Sequence, residues 1–331
     1  MRSTSLYTQV VFFAAFLCVL VVPAYAQTPT PQQSTTGPVQ PRGVVSEPLD
    51  DTKAYTVIPG VPAYIWRHGC GPTAVGMVVG YWDSKGYSNL VPGSAATQTA
   101  AVSQVIASGG TSSSPVTPER HYEDYARPQD SYPNMQDDNY ITASRTAHAD
   151  DSIADFMDTS KSTRSNYYGW SWSSDVTLSF NDYVSLIDPT YGPSAASYYM
   201  GTNLTFTVLK NEIDAGRPMV FLVDTDADGS TDHYITIVGY DDTTSPTHYV
   251  YLNTWDTSLH QADFLKMQQG ISWGVWGGWS FMLEGDVDEE VCPEAAIFAQ
   301  PPIMPLQPYI KLVSDEQVTR SYTMIMRESK T

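Results

Sequence analysis

Apolar positions between residues 70 and 84 recur with a helical period. Ala74, Val75, Val78 and Trp82 fall on one face, and Gly86 follows as a stop. The spacing predicts a helix from Cys70 to about Ser84. Shorter helical patterns cover Gln98–Ile106, Asp150–Thr159 and Phe180–Asp188, the last ending before Pro189. Thr207–Ala215 is a further one: Phe206, Leu209 and Ile213 set the stripe, Gly216 supplies the cap and Pro218 the stop. From Met219 the pattern changes to short apolar runs rich in β-branched and aromatic residues. Met219–Val223, His233–Tyr240, Tyr249–Asn253 and Trp279–Leu283 are predicted strands. Helices first and antiparallel strands later make an α+β plan.

The ends of the chain have a different texture. Residues 1–26 have the form of a signal peptide: Arg2, an apolar run from Val10 to Val22, and Ala24-Tyr25-Ala26 as the cleavage site. The run is short for a membrane span, and Leu17 before Cys18 is large for a lipidation site. Export to the extracellular or periplasmic space is the expectation. Residues 27–54 are rich in Gln, Thr, Pro and Ser and are expected to be a disordered spacer. One folded domain is expected over 55–290, and 291–331 is a Pro-rich tail. The acidic, aromatic stretch His121–Asp138 is expected to be a surface loop.

Lys and Arg number 17 against 36 Asp and Glu, a formal charge of −19. That balance disfavours nucleic acid and anionic membrane surfaces as partners and fits a soluble extracytoplasmic protein. The sequence gives no guide to oligomeric state. Of three cysteines, Cys18 lies in the leader, and Cys292 sits in Asp-Glu-Glu-Val-Cys-Pro with no chemical context. Cys70 differs. It lies in Gly69-Cys70-Gly71-Pro72-Thr73-Ala74, at the start of the predicted helix, where two glycines free the backbone and Pro72 suits the first turn. A thiol there feels the positive end of the helix dipole, which favours thiolate. A bridge to Cys292 would abolish the nucleophile.

A base is available in Asp232-His233, at the head of a predicted strand. Asn253-Thr254-Trp255 closes the next strand. Cys early, His later and Asn-x-Trp after it is the chain order of papain-like cysteine peptidases, which the sequence resembles over roughly residues 56–284. Within that group it is most similar to the secreted, family 39-like relatives of the peptidases that trim bacteriocin leaders. Glu212-Ile213-Asp214-Ala215-Gly216-Arg217-Pro218 carries part of the likeness. The resemblance implies a papain-like fold, a helical lobe with the Cys and an antiparallel β lobe with the His. It implies hydrolysis of peptide bonds in a peptide or protein substrate through an acyl-thioester, with Cys70 as nucleophile, His233 as base and Asn253 as orienting residue. Asp256 is the rival orienting residue. The family usually has Gln six residues before the Cys. Here Tyr64 stands there, a candidate oxyanion donor beside Trp66, Arg67 and His68. A non-catalytic module on the same fold, or another thiol acyl transfer such as amidase or transpeptidase action, is the alternative.

Two further patterns stand out. Asp224, Asp226, Asp228 and Asp232 follow the first half of an EF-hand loop, but position twelve is Ile235. A looser structural calcium loop or a solvated hairpin tip are the two readings; no cofactor is required. Trp273, Trp276 and Trp279 with interleaved glycines predict a strand with a bulge. Tyr167, Tyr168, Trp170 and Trp172 either pack between lobes or line a groove.

Overall fold

The computed structural model describes residues 29–50, 52–108, 150–161 and 164–284. The leader, Cys18, His121–Asp138, His148, Cys292 and the Pro-rich tail lie outside the described residues.

In chain order the strands are β1 (Glu47–Pro48), β2 (Thr56–Val57), β3 (Pro193–Tyr199), β4 (Met219–Asp224), β5 (His233–Asp241), β6 (His248–Leu252), β7 (His260–Asp263) and β8 (Gly274–Leu283). The helices are α1 (Cys70–Asp83), α2 (Ala100–Ile106), α3 (Ile153–Phe156), α4 (Val176–Ile187) and α5 (Phe206–Asp214). The strands form one antiparallel sheet in the order β1-β7-β6-β5-β4-β8-β3, with β2 added to β5. Helices precede most of the sheet, so the mixed helical and antiparallel plan holds.

Central strands β4 and β5 are buried along their whole length, which is why they read as continuous apolar runs. One sheet face carries α1. Val220, Leu222, Tyr234 and Val238 share a core there with Ala74, Val75 and Val78. The other face, with Phe221, Ile235 and Ile237, packs around Leu209 and Ile213 of α5. α1 is enclosed by the sheet on one side and α2, α3 and α4 on others, so every residue but Trp82 is buried. The expected single buried face is therefore an enclosed helix, and Trp82, placed on that face by the spacing, is its one partly exposed residue.

The bulge expected near the tryptophans lies where β8 meets β4, between Leu222 and Val223. Gly278 is required there: a Cβ would stand 2.6 Å from the Phe221 ring.

The described part of the 27–54 spacer is a correction to the sequence reading. Residues 29–50 run along the domain, and Ser34 and Thr36 are buried. The composition cannot supply an apolar core, but the segment is held by backbone hydrogen bonds, which any composition can make.

Candidate active site

Three pieces of chain converge on Cys70. The first is the helix start. Thr73 ties it down: its hydroxyl donates to Gly69 O at 2.7 Å and accepts from Arg67 N at 2.8 Å. The flanking glycines serve space rather than turning. Gly69 is extended, with φ 162°, and a Cβ on it would stand 2.9 Å from Gly169 O and from Thr159. A Cβ on Gly71 would meet Met157 Sδ at 2.7 Å and the Tyr234 ring at 3.2 Å. Both glycines let the sheet and the residues Met157, Thr159, Gly169 and Ser171 close on the cysteine.

The second piece is the head of β5. Tyr234 N donates to Cys70 Sγ at 3.4 Å. The imidazole of the preceding residue, His233, lies flat on Trp255, with ring centroids 3.7 Å apart and planes 11° from parallel. Its Nε2 is 2.6 Å from the main-chain oxygen of Asn253. A carbonyl can only accept, so Nε2 carries the proton and Nδ1 presents a lone pair.

The third piece is residues 32–37. The Thr36 hydroxyl is 2.6 Å from His233 Nδ1 and 3.7 Å from Cys70 Sγ. It stands between thiol and imidazole, and its proton goes to the ring nitrogen, the shorter contact. Thiol and imidazole thus meet at one intervening side chain.

Electrostatics keep both groups neutral. Burial pushes the Cys70 thiol up, opposed by the bond from Tyr234 N–H and by the nearby hydroxyls of Thr36 and Ser34. Burial pushes His233 down to about 3, against the pull of the Asn253 carbonyl. A helix dipole favours a charge by roughly 0.3–2 kcal/mol, whereas removing an ion from water costs several. Desolvation therefore outweighs the dipole, and the thiolate expected from the helix start does not form in this closed arrangement.

Several sequence expectations need correction. The Asn253 side chain does not face His233. Its Oδ1 accepts from Trp255 N at 2.9 Å and Asp256 N at 3.0 Å, holding the turn that aims its own carbonyl at the imidazole. Asp256 pairs instead with His260, at 2.9 Å. Tyr64 is fully buried beside Gly80, near the far end of α1, and donates to Ala95 O. A rise of about 1.5 Å per residue puts Gly80 roughly 15 Å from the helix start, too far to serve an oxyanion at Cys70. His68 is buried, with φ 66°, and its ring meets Tyr168 edge-on at 5.6 Å. Tyr168 also packs on Trp66, and Trp172 Nε1 donates to Arg164 O. These rings pack the wall, while the wall's main chain faces the cleft. Thr36 was missed because nothing in Gln-Ser-Thr-Thr-Gly marks a buried segment.

The acidic loop divides. One carboxylate oxygen each of Asp224, Asp226 and Asp228 lies within 4.8 Å of the others. Asp232 is not part of the group. Its carboxylate turns to Thr225, accepting from N and Oγ1. Both Asp224 oxygens accept backbone N–H groups, from Ala227 at 2.8 Å and Gly229 at 2.7 Å, so the loop is ordered by its own bonds.

Cys70 is a free thiol. No helix among the described residues is long and apolar enough to cross a membrane.

No curated protein matches the sequence. Among solved structures, one described as a C39-like peptidase from Bacillus anthracis aligns with 71% of this chain and 100% of its own, at 10% identity and a TM-score of 0.31. A model of the Peptidase_C39 like family matches residues 58–276, well over half of the chain and the span holding Cys70, His233 and Asn253, so the chain belongs to the Peptidase_C39 like family.

Proposed function

We propose that this chain is a cysteine peptidase acting on peptide bonds. The observation that carries the reading is the shared hydroxyl: Cys70 Sγ and His233 Nδ1 both lie within reach of the same atom, at 3.7 and 2.6 Å. A peptide in place of that hydroxyl lets Nδ1 take the thiol proton. Sulfur then attacks the peptide carbonyl carbon, the C–N bond breaks, and the proton on Nδ1 leaves with the amine. Water, deprotonated by the same nitrogen, cleaves the thioester and restores the thiol. The Asn253 carbonyl holds the Nε2 proton throughout and stabilises the ring when it is doubly protonated. The main-chain N–H groups that open α1 have no intrahelical partner, and that of Cys70 is the proposed oxyanion donor in place of Tyr64. The same proposal puts the enzyme outside the cytoplasm, on the strength of the leader-like residues 1–26.

The test is appearance of new amino termini in a mixed peptide library. It uses both the full chain and a chain truncated to begin at Pro41, because residues 32–37 cover the sulfur. Hydrolysis by the parent form that is lost in Cys70→Ala supports the reading. Equal hydrolysis by both rejects it.

A further inference from the structure

Residues 32–37 do more than touch the site. They are extended, with Ser34 and Thr36 buried and Thr35 exposed between them, the alternation of a strand. On the helical wall, Gln32 N donates to Ser173 Oγ at 2.9 Å, and Ser173 N donates to Gln32 O at 2.8 Å. Ser34 N donates to Ser171 O at 3.0 Å, and Ser171 N donates to Ser34 Oγ at 3.2 Å. On the sheet wall, Thr35 N and Thr36 N both donate to Asp232 O, at 2.8 and 3.0 Å, and Thr231 Oγ1 donates to Gln33 O at 2.9 Å. Past the site, Gly37 O accepts from Trp255 Nε1 at 3.1 Å. Two walls, one on each side of Cys70, thus grip one extended backbone.

We propose that this cleft is a groove for extended peptides carrying small hydroxyl side chains, and that residues 32–37 are its built-in occupant, which keeps the enzyme latent until the segment is displaced. The assignment rests on the peptidase reading for what the opened site does, but not for the occlusion itself. Seven of these eight bonds use the segment's own main chain, so the grip fits a peptide of any sequence, as β-addition does. Selection comes from the two inward positions. Ser34 has no exposed surface and Thr36 is 5% exposed, so larger residues there lack room. Position 37 is open: a Cβ on Gly37 would meet nothing within 4 Å. With the segment in place the sulfur is buried and no substrate carbonyl can take the position of the Thr36 hydroxyl. Its departure readmits water to the thiol and the imidazole and so favours their charged pair.

The experiment replaces Val39–Gly43, where Val39 is exposed, with the recognition sequence of a site-specific protease. The chain folds uncut and is then cleaved, which avoids relying on the truncated chain to fold. Iodoacetamide labelling of Cys70 and hydrolysis of the peptide library are read before and after the cut, with the freed segment removed by gel filtration. Labelling should rise at least about tenfold, the inverse of the open fraction in the uncut chain. A synthetic peptide of residues 29–38 should reverse the gain. The same peptide with Ser34→Leu and Thr36→Leu should need at least about tenfold more. Equal labelling before and after the cut overturns the occlusion, and so does no labelling in either form. Equal hydrolysis in both forms also overturns it while leaving the peptidase reading intact. Faster labelling with no hydrolysis supports the occlusion and rejects the peptidase.

Discussion

The indole of Trp255 covers one face of the His233 imidazole at 3.7 Å and, through its N–H, holds the carbonyl of Gly37. One side chain therefore does two things: it shields the proposed base from water and anchors the segment that covers the site. Trp255→Phe keeps a flat ring but loses the donor. It is expected to leave the fold within about 1–2 kcal/mol of the parent and to speed Cys70 labelling of the full chain. Trp255→Ala should cost about 2–3 kcal/mol, less than a fully buried tryptophan because this one is half-buried. Urea unfolding followed by labelling rates checks both, and labelling unchanged in Trp255→Phe would remove the anchor role.

Cys70→Ala should abolish hydrolysis, and His233→Ala should reduce it about as far, since the two act as one unit. Cys70 is fully buried rather than at an open helix start. Its replacement should thus cost about 1 kcal/mol, the lost sulfur packing and the bond from Tyr234 N. Thermal melts of the parent and Cys70→Ala, with initial rates of the truncated chain, measure the two effects separately.

Asn253→Ala should be felt mainly as lost structure. Two part-buried N–H groups, of Trp255 and Asp256, lose their acceptor, at about 1 kcal/mol each. The indole and the Asn253 carbonyl then drift from the imidazole, so kcat should fall together with stability. Asp256→Ala should keep kcat within a few-fold of the parent, because its carboxylate bonds His260 and the Asn253 amide and not His233. A large loss of kcat in Asp256→Ala at unchanged stability would return the orienting role to the carboxylate.

Asp232 links pH to stability. Burial, with the neighbouring Asp226 and Asp224 carboxylates, raises its carboxyl from 3.8 to about 7, against the bonds it accepts from Thr225. The folded state thus holds this proton more tightly than the unfolded chain. Below about pH 4 both states are protonated and the group is neutral to stability. Between about pH 4 and 7 only the unfolded chain ionises, and stability falls as pH rises. Asp232→Asn keeps an acceptor for Thr225 N and gives a donor to Thr225 Oγ1, so it mimics the protonated form. Its melting temperature should match the parent near pH 4 and exceed it increasingly toward pH 7, levelling above. The full gain is about 2–4 kcal/mol. A constant difference across that range would show that Asp232 is ionised throughout.

Periodicity was informative where burial is periodic or continuous. α4, α5 and strands β4, β5 and β6 were legible because their apolar positions repeat or run on. β3 was not, because Pro-Ser-Ala-Ala-Ser-Tyr-Tyr is a half-exposed edge strand with little apolar contrast. β7, His-Gln-Ala-Asp, was missed for a similar reason. At the site, Cys70 stood out by its Gly-Cys-Gly-Pro setting and His233 by the chain order of the resemblance, and the structure brings both to one hydroxyl. Thr36 and the Asn253 carbonyl were not. Thr36 acts from a segment of disordered composition, and a main-chain atom carries no residue identity. Tyr64 illustrates the opposite error: a fixed offset from Cys70 says nothing of direction when the chain between them turns back along the helix.

That the imidazole is fixed by the main-chain oxygen of residue 253 has a genetic consequence. Every amino acid brings the same carbonyl, so no substitution at position 253 deletes it. A mutational scan would score the position by how well the replacement rebuilds the turn, and would rank it with structural sites. Drift can therefore change the residue here wherever the replacement rebuilds the turn, and the loss of asparagine at this position in a related chain does not by itself mean that the imidazole has lost its carbonyl.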